Sequence, residues 1–417
     1  MRAMDRQEQR KGIWGRHPAA WAPVWPLIAL LGAGAILRVA VLGLGGGFQG
    51  DINAFADWSD GMAQHGLGYF AAGGTGNYPA VLWLLWPVGY LSPAIQHTVI
   101  RGISIPFDLA IGLLIYRLAC KERGEAAGLW AGAFWFLNPA VIVAGPLWGQ
   151  MDSVGILPML MGVVLARKHP FLAGICSMVA ILVKPQFLIG AVAVGLANAR
   201  SLGGAARAFI GACIAGAAIL LPLGIWPISY IRLLVTSADQ YPAASSYAFN
   251  IWGALYGFHA SDSGLTAIGA GAFLVAAGFS IWFYRQASET FDLLAMAALV
   301  ALAIFFLPTR VHDRYLIGAL AFLAPLAGVH ARMRWPLVAL SAAFALGMYC
   351  TLALNPALGY PVLNLDTPAD TVLALETTAA GGWCAYVIMR SAPIAKPGST
   401  EHPRLTARAG PFVGFDR

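Results

Sequence analysis

Charge is what this sequence most lacks. Asp, Glu, Lys and Arg make up 11% of 417 residues, against 59% hydrophobic residues and a mean hydropathy of +0.69. Soluble domains carry about 25% charged residues. A chain this poor in charge cannot clothe a water-facing surface and reads as an integral membrane protein. Its apolar runs are continuous over roughly the length that crosses hydrocarbon. They lack the apolar–polar alternation of barrel strands, which excludes a β-barrel and leaves an all-α bundle. Cysteine is also scarce: Cys120, Cys176, Cys213, Cys350 and Cys384 each lie in or beside an apolar run, with no ligand spacing. They read as small core residues, not as a disulfide framework or a metal site. No His-rich metal spacing, phosphate-binding glycine loop, nucleophile elbow or dinucleotide fingerprint occurs in a suitable context. The net charge of +7 needs no nucleic acid, because the basic residues gather at helix ends.

Short loops rich in Lys and Arg stay cytoplasmic. The segment 1–26, with Arg2, Arg6, Arg10, Lys11 and Arg16, precedes an apolar stretch without a small-residue cleavage site, so an uncleaved first helix is expected. Basic loops at 117–123, 167–169, 200–207, 284–285 and 330–334 join it on the inner side. So does the tail 391–417, whose composition predicts disorder. This places spans near 27–45, 99–119, 125–144, 153–166, 171–184, 187–199, 207–226, 264–284, 290–307, 314–329, 336–354 and 370–390. The expectation is about twelve helices (11–14) with both termini cytoplasmic. Two helical modules follow, 27–226 and 227–390. The first includes a large outer loop at 46–98 with short interfacial helices, and the second an outer loop at 227–263. The segment 78–91 is short, carries Pro79 and Pro87, and would invert every later loop if it crossed; a re-entrant or interface-lying helix is expected there.

With this topology the remaining polar residues gather on the outer side, in six clusters. Asp51, after a glycine run, is either the N-cap of a short helix or a general base for an acceptor hydroxyl. Tyr78 precedes Pro79 at an ordinary helix start. Trp148-Gly149-Gln150-Met151-Asp152 joins two helices. There Asp152 is a helix cap or, with Gln150, a contact for hydroxyls, and one carboxylate alone makes a poor divalent site. Lys184, before Pro185 and Gln186, is costly in an apolar run unless it snorkels or holds a buried phosphate. His312-Asp313-Arg314 groups three ionisable side chains at a helix start, where Arg314 suits bidentate phosphate contact or a local pair with Asp313. Asn250 and Trp252 mark the sixth cluster. Arg38 and Asp108 lie inside helices and are expected to face the bundle, with Asp108 pairing with Arg38 or Arg101. Arg101, Arg232, Arg310 and Arg314 break the positive-inside pattern.

The ordered motifs resemble the GT-C glycosyltransferases that use polyprenyl-phosphate sugars, most closely bacterial relatives of GPI mannosyltransferase II, across 51–315. The resemblance rests on Asp51 with Trp58, Tyr78-Pro79, Arg101 with Asp108, Trp148-Gly149-Gln150-Met151-Asp152-Ser153, Lys184-Pro185-Gln186, Phe249-Asn250-Ile251-Trp252 and His312-Asp313-Arg314-Tyr315. Asp313 stands where relatives carry Glu, and Ala80 where they carry a second Pro. What the resemblance implies is a GT-C-type multi-helix bundle in the bacterial inner membrane with a periplasmic active site. It implies transfer of a hexose, expected to be mannose, from a polyprenyl-phosphate donor to a glycan, lipid or protein acceptor, with inversion. Asp51 would be the base. Arg314, Lys184, Arg38 and Arg101 would contact the donor phosphate, in that order of preference. Tyr78, Trp148, Gln150, Asp152, Gln186, Asn250, Trp252, His312 and Asp313 would bind substrate. No metal or other cofactor is expected. The segments 227–263 and 355–370 have room to shape the acceptor. The competing expectation is a polytopic transporter or lipid flippase of the cell envelope.

Overall fold

The computed structural model describes residues 24–238, 242–258, 260–287, 289–353 and 367–391. Among them the chain is all-helical, with only isolated β-bridges. The first part of the chain contains α1 (Trp25–Gly43), α2 (Gln49–His65), α3 (Pro79–Leu85) and α4 (Pro93–Gly102). Next come α5 (Ser104–Arg123), α6 (Glu125–Phe136), α7 (Pro139–Ile142), α8 (Asp152–Leu165), α9 (Pro170–Val183), α10 (Leu188–Asn198) and α11 (Leu202–Leu220). The second half holds α12 (Pro227–Ala238), α13 (Ile251–Tyr256), α14 (Thr266–Phe283), α15 (Thr290–Phe306), α16 (Ile317–Val329), α17 (Arg334–Ala353) and α18 (Pro368–Ser391).

Local chemistry explains many of the boundaries. Pro79, Pro93, Pro139 and Pro170 each open a helix, where the missing N–H costs nothing. Asn138 caps α7 and Ser201 caps α11, while Glu289 and Asp292 form a reciprocal capping box on α15. The α16 helix is apolar on every side and buried from Ile317 through Gly328, so it occupies the middle of the bundle. By contrast α1, α11 and α14 expose Ile36 and Val39, Phe209 and Ile214, and Leu274 and Val275, as lipid-facing helices do. The α9–α11 crossing is close because a β-carbon on Gly174 would land on the Ala208 carbonyl.

A helix stands at each of the twelve expected spans, making this an integral membrane protein of the all-α class. Seven helical stretches are long and apolar enough to cross; α8, α9, α10, α15 and α16 are shorter. The expected span at 99–119 is longer than read, since α4 and α5 run on as one stretch from Pro93 to Arg123. Ile103, the joint between them, keeps helical backbone angles. The segment 78–91 forms α3 and a 3-10 turn, twelve apolar residues or about 18 Å of helix. It is pinned at one edge by the Trp83 indole N–H, which donates to the Ile219 carbonyl at 3.3 Å. The segment 1–26 and the tail 391–417 fall almost wholly outside the described residues, as does most of the loop at 355–370.

Candidate active site

The site is assembled from three breaks in the helical order. At the first, α1 ends and α2 begins, with Asp51 in the first turn of α2. The N-cap position is Phe48, so Asp51 is not the capping residue and its carboxylate is left to the tertiary structure. At the second, a π-helical turn at Val143–Leu147 ends at Trp148 and the chain turns through Gly149, whose φ is +98°. A β-carbon there would stand 2.9 Å from Ile52 Cγ1, so this turn needs glycine twice over. At the third, Lys184 is extended between α9 and the turn at Pro185, as residues before proline prefer.

These breaks bring a continuous polar chain together. Asp51 Oδ2 accepts the Trp148 indole N–H at 2.8 Å and a second hydrogen bond from the Gln150 amide. The Gln150 carbonyl oxygen accepts from Lys184 Nζ at 2.7 Å, and Lys184 also pairs with Asp152 Oδ1 at 2.8 Å. Lys184 is only 1% exposed and lies 5.6 Å over the Tyr78 ring. It has turned inward onto these partners and does not snorkel. Asp152 makes no capping bond, although it sits at the start of α8; its carboxylate goes to Lys184.

From the other half of the chain, Arg314 completes the cluster. Its guanidinium lies 4.0 Å from Asp51 Oδ1, 3.5 Å from Asp313 Oδ1 and 5.9 Å from the centre of the Trp148 ring. His312 is held well below its ordinary value by burial and by the cations Arg314 and Lys184, so it is neutral at pH 7. Three buried polar atoms of the cluster have no hydrogen-bond partner: Asp152 Oδ2, Asp313 Oδ2 and Arg314 Nε; Gln186 Nε2, two residues beyond Lys184 in the chain, has none either. Two acceptors and a donor left bare in one cluster suit a polar ligand. Among the described residues no group of three or more His, Cys, Asp or Glu side chains is arranged to hold a metal ion.

Four residues named from the sequence have other partners. Arg38 is fully buried in an ion pair with Asp108 at 3.2 Å, and also donates to the Phe136 and Gly34 carbonyls at 2.7 and 3.1 Å. Asp108 in turn accepts from the Ser153 hydroxyl. Arg101 gives Nε to the Pro146 carbonyl and its terminal nitrogens to the Leu42 and Val41 carbonyls, at 3.0–3.3 Å. It therefore clamps the end of α1 to the turn that carries Trp148, and neither arginine presents its guanidinium to the cluster. Asn250 caps α13 and donates to the Phe305 carbonyl, while the Trp252 indole donates to Leu307. Both brace the end of α15. Two participants were missed. Phe48 stacks on Trp148 at 5.1 Å. Asp262 pairs with Arg310 at 2.5 Å beside the segment carrying His312; nothing in the local sequence of Asp262 signals that role.

No family model matches the chain, and no curated protein does. Among solved structures it is similar to the crystal structure of ArnT from Cupriavidus metallidurans bound to undecaprenyl phosphate. The identity is 15% over 88% of this chain and 78% of that one, with a TM-score of 0.49. That is a likeness of outline.

Proposed function

We propose that the protein is a GT-C-type membrane glycosyltransferase that moves a hexose, with mannose the first candidate, from a polyprenyl-phosphate donor to an acceptor hydroxyl. What supports this reading is the arrangement of Asp51. Two donors fix its Oδ2, while Oδ1 carries no hydrogen bond and the side chain keeps 24% of its exposure. A carboxylate held this way is oriented to accept a proton through one oxygen. Arg314 lies beside it and Lys184 is joined to it through Gln150, both largely buried, where fixed cations act strongly on developing negative charge.

In the proposed reaction Oδ1 of Asp51 takes the proton of the acceptor hydroxyl. The acceptor oxygen attacks C1 of the sugar from the face opposite the phosphate. The C1–O bond breaks, its electron pair passes to the phosphate oxygen, and polyprenyl phosphate leaves with inversion at C1. Arg314 and Lys184 stabilise the charge gathered on the leaving group. The site would face the periplasm of a bacterial inner membrane.

The test is Asp51→Asn in proteoliposomes supplied with labelled polyprenyl-phosphate mannose. An amide cannot take the proton, so transfer falls by about 10²–10⁴-fold, the range supplied by a positioned base, while the protein remains folded. Full activity in that variant would refute the role of Asp51. Movement of intact donor across the vesicle, with no release of polyprenyl phosphate, would overturn the transferase reading in favour of a transporter.

A further inference from the structure

The cluster has a charge problem. Asp51, Asp152 and Asp313 face Lys184 and Arg314, so with every group ionised one negative charge is in excess before any substrate arrives. A polyprenyl-phosphate sugar brings a further negative charge, and its leaving group a second. Such a site would repel the substrate proposed for it unless one carboxylate carries a proton.

Geometry selects which one. Asp152 lies 2.8 Å from Lys184. Asp51 accepts two hydrogen bonds and is the most exposed of the three carboxylates. Asp313 is 3% exposed, and its nearest cation is Arg314 at 3.5 Å, which it shares with Asp51. Its Oδ1 accepts the Arg314 backbone N–H at 2.9 Å as well. Its Oδ2 is buried and without a partner. A proton on Asp313 therefore belongs on Oδ2.

Among the described residues no cation other than Arg314 is found to hold Asp313 ionised. It lies in the 3-10 turn Asp313–Leu316, outside the membrane-spanning helices. Of the helices packed against that turn, α16 carries no ionisable residue. The charged residues of α15 and α17 are Asp292 and Arg334, at the ends remote from the turn, with Tyr349 near the other end of α17. The other neighbours include neutral His312, Tyr247 bridged to it, Tyr315, and the cluster itself with Tyr78. Burial pushes the Asp313 carboxyl up to about 7 against the pull of Arg314, and the charges of Asp51 and Asp152 push the same way.

From this arrangement we infer that Asp313 works in its protonated form, with Oδ2–H donating a hydrogen bond to the leaving phosphate oxygen as the C1–O bond breaks. The inference rests on the transferase reading above and adds a fourth group to it. Asp51 takes the acceptor proton, Arg314 and Lys184 supply positive charge, and Asp313 supplies a neutral donor with no net proton transfer. Protonation also brings the empty cluster to neutrality.

The test is the pH profile of transfer between pH 6 and 9, with one donor and one acceptor, for wild type, Asp313→Asn and Asp313→Ala. Wild-type transfer should fall as pH rises through about 7, since the ionised carboxylate loses its hydrogen and repels the phosphate. Asp313→Asn keeps an N–H donor that does not titrate. It should work about tenfold more slowly at pH 6, as a weaker donor, but without the alkaline fall. Asp313→Ala has no donor and should stay about 10²–10³-fold below the wild-type rate at pH 6, the cost of one missing oxyanion donor, with no alkaline fall of its own. An alkaline fall retained in Asp313→Asn, or an Asn variant as inactive as Ala, overturns the inference while leaving Asp51 as base. A wild-type protein that transfers nothing from any polyprenyl-phosphate sugar brings down both readings.

Discussion

Replacing Lys184 by Met tests the physical account of the cluster without depending on the reaction. The ammonium is 1% exposed, 2.8 Å from Asp152 Oδ1 and 2.7 Å from Gln150 Oε1. Met fills nearly the same volume and removes only the charge and its donors. Asp152 is then left as a buried carboxylate with no cation, since its Oδ2 already has no partner. Breaking one side of a buried pair costs about 3–5 kcal/mol. Lys184→Met should thus lower the melting temperature in detergent by a clear margin and abolish transfer. The double variant Lys184→Met/Asp152→Leu removes the stranded charge as well. Exchanging both partners for apolar groups is commonly neutral for stability, so the melting temperature should return most of the way to wild type. Transfer should stay lost, because the cation proposed to stabilise the leaving phosphate is gone in both variants. A single variant as stable as wild type, or a double variant no better than the single, would refute the pairing. Restored transfer in the double variant would show that Lys184 serves only to hold Asp152.

Two other outcomes follow from the geometry. Gly149→Ala forces a side chain onto a φ of +98° and against Ile52, at a cost of about 1–2 kcal/mol for the backbone alone; thermal melting should show the loss, and transfer should fall with it as Trp148 and Gln150 move off Asp51. Between α13 and α14, a hydrogen bond from Arg310 is the main cause holding the Asp262 carboxyl below the ordinary carboxylate range. An acid depressed in this way adds stability above its unfolded value and loses it as pH falls through the folded one. Asp262→Asn should therefore be less stable than wild type at neutral pH, and the difference should begin to shrink as pH falls below about 4 and vanish only below the depressed folded value; an unchanged gap at pH 3 would refute this origin.

The helical layout was legible because each span needs a run of apolar residues, and such runs survive in the sequence whatever their neighbours are. Tertiary partners leave no such trace. Asp51 and Gln150 meet across 99 positions, and Lys184 and Gln150 across 34. Their meeting could be anticipated only from the shared side of the bundle and the motif order. Arg38 and Arg101 show the limit of that reasoning. A buried guanidinium is equally costly whether its partner is a phosphate, a carboxylate or a backbone carbonyl. The sequence registered the cost, and the structure assigned Arg38 to Asp108 and Arg101 to three carbonyls. Asn250 and Trp252 are similar, since a polar residue at a helix start reads alike as a cap or as a ligand contact.

The helices α8 and α9 have fourteen residues each and α10 has eleven. At about 1.5 Å per residue they are roughly 21, 21 and 17 Å long, against a hydrocarbon core of about 30 Å. They carry Asp152 at the start of α8 and Lys184 at the end of α9, on the same end of the bundle. Either the bilayer is locally thinner around these helices, or that polar end lies below the hydrocarbon boundary. In both cases the lipid-borne phosphate proposed as donor would be met near its own depth in the membrane, and its chain would not need to be drawn out into water. Bilayer thickness would then act on the protein through these three short helices.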